Sequence, residues 1–181
     1  MNIFLIVISC VILVVVVLLA IALLIKGDYE IEREAIIDRP RTAVFDYIKL
    51  IKNQEYYSYW VMQDPTNKIT YHGTDGTVGF ISKWEGEKKA GKGAQEIVDL
   101  VEGSAVRIEI RFEKPFKNVA HTLMTISEIG SKQTLVKWSM KGNNKFPFTL
   151  FNLVIDGVLG KDMEKSLANL KHILAEQRKT A

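Results

Sequence analysis

Hydrophobic and polar positions divide the chain into two unequal parts. Residues Ile3 to Ile25 (IFLIVISCVILVVVVLLAIALLI) carry no charge, and 19 of the 23 are Ile, Leu, Val or Phe. As an α-helix the run spans about 34 Å, enough for a hydrocarbon core of about 30 Å with some tilt. On an insertion scale of about −0.3 to −0.6 kcal/mol per such residue it favours the bilayer by about 6 to 11 kcal/mol. It is too long for a strand, which rarely exceeds about ten residues. A cleaved signal peptide would show a basic start and a shorter apolar stretch. Here only Met1 and Asn2 precede the run, and the A-x-A-like pair Ala20 and Ala22 is embedded among leucines. The pattern predicts a retained single-pass transmembrane anchor over 1–27 and one domain over 28–181. Lys26, Arg33, Arg39 and Arg41 follow the helix and no basic side chain precedes it, so the positive-inside rule predicts a cytoplasmic domain.

Beyond the anchor the periodicity changes several times. Tyr29 to Ile37 alternates as a strand with one wet face. After the turn at Asp38-Arg39-Pro40, residues Ala43, Val44, Tyr47, Ile48 and Ile51 recur at helical spacing. Asn53 to Trp60 is aromatic-rich and predicts a second short helix or turn. Asp64-Pro65 and Asn67 mark a loop. A run of antiparallel strands follows. Ile69 to His72 is short, and Gly73, Asp75 and Gly76 predict a hairpin turn. Val78, Phe80, Ser82 and Trp84 face one way. Glu87 to Gly91 is a polar turn before a strand over Lys92 to Leu100. Val106, Ile108, Ile110 and Phe112 alternate strictly with Arg107, Glu109, Arg111 and Glu113, the cleanest half-buried strand in the chain. Asn118 to Ile126 is the next strand. Thr134, Val136, Trp138 and Met140 complete the set, ending at Gly142-Asn143-Asn144. From there Val158, Leu159, Met163, Leu167, Leu170 and Leu174 form one helical stripe running to about Arg178. Strand, two short helices, about six strands and a closing helix make an α+β fold. The sheet has one apolar face, and only the C-terminal helix is long enough to cover it.

Charge and candidate chemistry narrow the function. All 24 Lys and Arg and all 21 Asp and Glu lie at or after Lys26, with signs interspersed and a formal net charge of +3. No basic stripe of the kind nucleic-acid binding needs is present. The single cysteine, Cys10, lies in the apolar run, which leaves the domain no disulfide and no thiol. His72, His121 and His172 are scattered, with no metal-ligand spacing. The Gly73, Gly76 and Gly79 set lies in a hairpin, not between a strand and a helix, so it is no phosphate loop. No nucleophile motif or cofactor motif is found. No metal, cofactor or catalytic residue is therefore assigned.

The order of elements, with these residues, resembles the SRPBCC or START-like helix-grip superfamily, in particular its polyketide cyclase/dehydrase and lipid-transport family. The stretches that carry the resemblance are Pro40 with Val44-Phe45, the Gly73 to Gly79 segment, Trp84-Glu85-Gly86, and Gly91 with Gly93 and Gln95-Glu96-Ile97. Further along they are Arg111-Phe112 with Lys114-Pro115-Phe116, Thr134 with Val136 and Trp138, and Leu167 with Asn169-Leu170-Lys171. They cover Asp28 to about Glu176. The resemblance implies a curved seven-stranded antiparallel sheet gripping the long helix, with a hydrophobic cavity between them. The membrane anchor is an addition to that domain.

Three large aromatic side chains on one curved sheet tend to leave lined space, and concave apolar pockets with few polar groups suit small molecules. The expected cavity residues are Phe80, Trp84, Ile108, Ile110, Phe112, Val136, Trp138, Met140, Phe151, Ile155 and Met163. The segment Phe146 to Ile155 is apolar nearly all round, which fits a buried helix start or else a lid or membrane-facing portal. Gly157 and Gly160 behind it weaken the helix by about 1 kcal/mol each and suggest a hinge. The expectation is a membrane-anchored binder or carrier of a hydrophobic small molecule or lipid, without catalysis. A cavity enzyme of cyclase or dehydratase type is the alternative, drawing on Glu96, His121, Arg111 or Tyr71 if these point inward. A membrane-anchored interaction domain with a filled core is the third reading.

Overall fold

The computed structural model describes residues 2–87 and 91–177. The uncharged run forms a single helix, α1 (Ile3–Leu24), whose side chains are almost all exposed. It is long and apolar enough to cross a membrane. Residues 25–27 connect it to β1 (Asp28–Ile37). Then come α2 (Arg41–Ile48), a 3-10 turn, and two one-turn helices, α3 (Gln54–Tyr57) and α4 (Tyr59–Met62). Six strands follow: β2 (Lys68–His72), β3 (Ile81–Glu85), β4 (Lys92–Val101), β5 (Ala105–Lys114), β6 (Asn118–Gly130) and β7 (Gln133–Asn143). A 3-10 helix (Phe148–Leu153) leads into α5 (Ile155–Gln177).

The seven strands make one antiparallel sheet in the order β1-β7-β6-β5-β4-β3-β2. Its edges, β1 and β2, are joined by α2–α4, which close the opening between them. The long helix α5 packs along β1 and against α3 and α4. It buries Met163, Leu167, Leu170 and Leu174 of the stripe expected from the sequence, while Leu159 is half-buried. Val158, expected on the same stripe, is exposed because it lies in the first turns, before α5 reaches the core. Arg178, where that stripe was expected to end, lies outside the described residues. So does most of the expected Glu87 to Gly91 turn.

Arg33 faces inward on β1 and is clasped by α5. Its Nε donates to Glu164 Oε1 at 2.6 Å and its Nη1 to Asp156 Oδ1 at 2.9 Å. The helix passes over the guanidinium at Gly160, where a Cβ would fall 2.0 Å from Arg33 Nη2. The expected hinge is therefore not there. The helix is continuous, and Gly160 is a close approach. Asp156 also sits in the first turn of α5, where the helix dipole favours a carboxylate. The hydrogen bond from Arg33 holds its pKa below the ordinary value.

Other boundaries moved. The connection between β2 and β3 is not a tight hairpin but residues 73–80, and Val78 is exposed on it. Gly142 is not a turn residue but part of β7. The Phe146 to Ile155 segment is no buried helix start: Phe146, Phe151, Leu153 and Val154 are exposed. Its fixed contacts run to the end of α1 instead. Thr149 Oγ1 donates to Ala22 O at 2.6 Å, and Asn152 Nδ2 donates to the Lys26 and Gly27 carbonyls at 2.8 and 2.9 Å. Ala22 lies in the last turn of α1, where carbonyls lack intrahelical partners.

Candidate functional site

Strand register divides the inner face of the sheet lengthwise. Toward the ends of β1 and β2 and the starts of β3 and β7, the grip is filled. Ile37, Phe80, Ile97, Val106, Ile126 and Val136 form a solid core there with Val44, Phe45 and Ile48 of α2. Toward the opposite ends the sheet carries Tyr29, Ile69, Trp84, Phe112 and Met140 instead, and the facing elements do not reach them. A cavity of about 310 Å³ remains, bounded by the sheet, α3, α4, the loop after α4 and Leu159 of α5. This lies at the lower end of small-molecule sites, about 300–1,000 Å³.

Two cross-strand pairs shape its walls. Trp84 lies opposite Gly93, and its indole occupies the space of the missing side chain, since a Cβ there would fall 2.4 Å from the ring. Tyr29 lies opposite Gly142 in the same way, with its hydroxyl oxygen 2.4 Å from a built Cβ. Aromatic side chains thus lie down on the sheet at both sides of the cavity. Trp84 meets Phe112 edge-to-face at 5.9 Å, and Trp60 of α4 meets Trp138 edge-to-face at 5.7 Å. All three tryptophans of the chain line the cavity.

The polar groups in the lining are neutral. Gln95 Nε2 donates to Gln54 Oε1 at 2.8 Å, which ties β4 to α3 across the space. Ser58, Ser82 and Thr122 contribute buried hydroxyls. Trp138 Nε1 and Asn67 Oδ1 are buried without a hydrogen-bond partner among the described residues. No Asp, Glu, Lys, Arg or His lines the cavity among the described residues. Its one phenol, Tyr29, has its pKa raised by burial and stays protonated at neutral pH.

Of the eleven expected cavity residues, Trp84, Ile108, Ile110, Phe112, Trp138 and Met140 line this space. Phe80, Val136 and Met163 do not; they are sealed in the filled core, because they lie at the α2 end of the grip or under α5. Ile155 packs against that core from the start of α5. Phe151 is exposed beside α1.

The polar candidates for chemistry are elsewhere. Glu96, Glu109, Arg111 and His121 are on the outer face, where Arg111 bridges Glu96 at 2.7 Å and Glu109 at 2.6 Å. Tyr71 stacks on Phe80 and donates its hydroxyl to Glu55. Burial first, and Glu55 second, raise its pKa. Among the described residues no group of three or more His, Cys, Asp or Glu is arranged to hold a metal ion.

Sequence reasoning missed the wall made by Gln54, Ser58, Trp60, Val61, Gln63 and Asn67. The aromatic density of Asn53 to Trp60 was its signal, but nothing in that segment's period fixed which surface it faced. Ser82, Gln95, Thr122 and Met124 follow from strand parity once the register is known.

No protein-family model matches the chain, and no curated protein does. Solved structures match over most of its length. Norcoclaurine synthase from Thalictrum flavum, in complex with dopamine and hydroxybenzaldehyde, is 11% identical with a TM-score of 0.64; the match covers 86% of this chain and 91% of that one. Ara h 8.0201 is 16% identical with a TM-score of 0.58, covering 82% and 99%. Protein CV1439 from Chromobacterium violaceum is 13% identical with a TM-score of 0.58, covering 80% and 96%. With the sheet order, the gripped helix and these likenesses together, the domain has a helix-grip fold, which it shares with these structures.

Proposed function

We propose that this is a membrane-anchored domain that binds or carries one neutral, largely apolar small molecule, without transforming it. The lining of the cavity carries the reading. Aromatic and aliphatic walls surround a few amides and hydroxyls, and no charged side chain is among the described residues that line it. A charged ligand would lose its water there and gain no counter-charge, at a cost of several kcal/mol. A neutral ligand with one acceptor and one donor could instead satisfy Trp138 Nε1 and Asn67 Oδ1. General acid–base catalysis needs a group that titrates near the working pH. Tyr29, with its raised pKa, does not. The volume suits an aromatic molecule or a single acyl chain rather than a two-chain lipid. The fold hosts aromatic ligands elsewhere, as the norcoclaurine synthase complex shows, and it hosts synthase chemistry there too.

The anchor reading draws on the end of α1. Thr149 and Asn152 bond its last turn and the carbonyls that follow, so the helix is integrated with the domain. The cytoplasmic placement draws on Lys26, Arg33, Arg39 and Arg41 after the helix, with no basic side chain before it, and digestion of the domain by protease added outside intact cells would reverse it.

The binding reading is tested by titrating the full-length protein in nanodiscs with a matched pair of probes, naphthalenemethanol and naphthoate. Tryptophan fluorescence reports directly on the cavity. Saturable binding of the neutral probe, at least about tenfold tighter than the anion, is expected, since tenfold is 1.4 kcal/mol. Equal or tighter binding of the anion would contradict the proposal.

A further inference from the structure

One end of the molecule carries apolar surface that neither the cavity nor the core uses. Phe116, Phe146, Phe151, Leu153, Val154 and Val158 are each about half exposed or more. They are contiguous. Phe148 links the two loops, with its ring 4.4 Å from Phe116 and 6.1 Å from Phe151, and Val154 and Val158 are one helical turn apart. Contiguous exposed apolar side chains, unlike singly scattered ones, mark an interaction surface.

The patch faces the anchor. Residues 25–27 alone separate α1 from β1, and three extended residues reach only about 10 Å. The end of the sheet where β1 starts must therefore lie against whatever surface α1 enters. By register, Asp28 pairs with Asn143 at the end of β7, and β6 starts at that same end, after the loop that holds Phe116. The 3-10 helix inside the patch donates Thr149 Oγ1 to a terminal carbonyl of α1. The 3-10 helix that carries Phe151 and Leu153 is thus held directly against the end of α1.

We propose that this collar is seated in the interfacial zone of a phospholipid bilayer, so that the domain is docked on the membrane rather than swinging from a tether. The proposal rests on the reading of α1 as an anchor. The chemistry fits the place. Phe and Leu side chains flanked by lysines are the composition of surfaces that bury shallowly at the boundary between headgroups and acyl chains. Lys26, Lys117 and Lys145 surround the collar, exposed and without an ion pair among the described residues. They are free to meet anionic phosphates. The nearby acids are engaged, Asp28 by Asn143 and Asp156 by Arg33. Docking would also turn the cavity end of the grip toward the lipid, because Tyr29 and Phe112 lie at that end of their strands.

Site-directed spin labelling of the full chain tests this. In a Cys10→Ser background, single cysteines replace Phe151 or Leu153, with Val14 as a position inside α1 and Ile129 as an exposed position at the far end of β6. The protein is reconstituted in phosphatidylcholine vesicles with a minority of phosphatidylglycerol, and collision with oxygen is compared with collision with a water-soluble nickel chelate. Labels at 151 and 153 are expected to favour oxygen, as at 14, while the label at 129 favours nickel. If 151 and 153 behave like 129 while 14 stays in lipid, the docking is wrong and the anchor stands. If the label at 14 also favours nickel, the anchor reading fails and the docking with it. Labels at 151 and 153 that are immobilised and shielded from both reagents would show a protein partner on the collar, which also overturns the proposal.

Discussion

Gly157 and Gly160 stand one helical turn apart in α5 and have opposite surroundings. A Cβ at Gly157 meets nothing within 4 Å, whereas one at Gly160 meets the Arg33 guanidinium. Alanine improves helix propensity by about 1 kcal/mol at either site. Gly157→Ala is therefore expected to stabilise the protein by up to about 1 kcal/mol in urea unfolding. Gly160→Ala is expected to cost about 1–2 kcal/mol net, because overpacking displaces Arg33 from Asp156 and Glu164. Equal gains at both sites would refute the clamp. The clamp also predicts a pH dependence. The folded-state pKa of Asp156 is depressed, so its contribution is present above the ordinary value near 3.8 and is lost as pH falls through the folded value. The stability difference between wild type and Asp156→Asn should accordingly be largest near neutral pH and close below the ordinary aspartate value. A difference independent of pH would remove Asp156 from the clamp. Propensity, which acts locally, was legible at these glycines; the partner on β1, distant in sequence, was not.

At the scale of elements, period-two alternation read the faces of β5 and β7 correctly, because each strand has one wet side. Arg111 was expected outward and is outward, bridged to Glu96 and Glu109. The same pattern started β3 too early. Phe80 is as apolar as a strand residue, but it belongs to the connection before the strand, where its amide bonds Thr77. In one dimension Gly142 looks like a turn glycine and Gly93 like an ordinary strand residue. They are cross-strand partners of Trp84 and Tyr29, a relation that only the register reveals. Gly93→Val tests it. The new side chain cannot share its space with the indole, so Trp84 must swing into the cavity. The expected result is a stability loss of about 1–3 kcal/mol and a shifted tryptophan emission, with at least about tenfold weaker binding of naphthalenemethanol. Unchanged emission and binding would mean that Trp84 does not depend on Gly93 for its position.

For the whole molecule, the order of elements along the chain was enough to reach the helix-grip architecture. How the grip is apportioned was not legible. Nothing in the local pattern distinguishes Val136, in the filled half, from Met140, in the open half; both are inward residues of β7. The difference comes from what lies opposite. Helix α2 fills one half with Val44, Phe45 and Ile48, and the one-turn helices α3 and α4 stand off from the other. The account therefore places binding in the open half, near the anchor, with Ile110 at the centre of the β5 wall. Native mass spectrometry of the full-length protein released from nanodiscs, with and without naphthalenemethanol, compares wild type with Ile110→Trp, whose larger side chain would occupy the cavity. The account predicts one bound molecule per wild-type chain and none on the folded variant. Equal uptake by both proteins, or no uptake by wild type from a panel of neutral aromatic and single-chain probes, would contradict it.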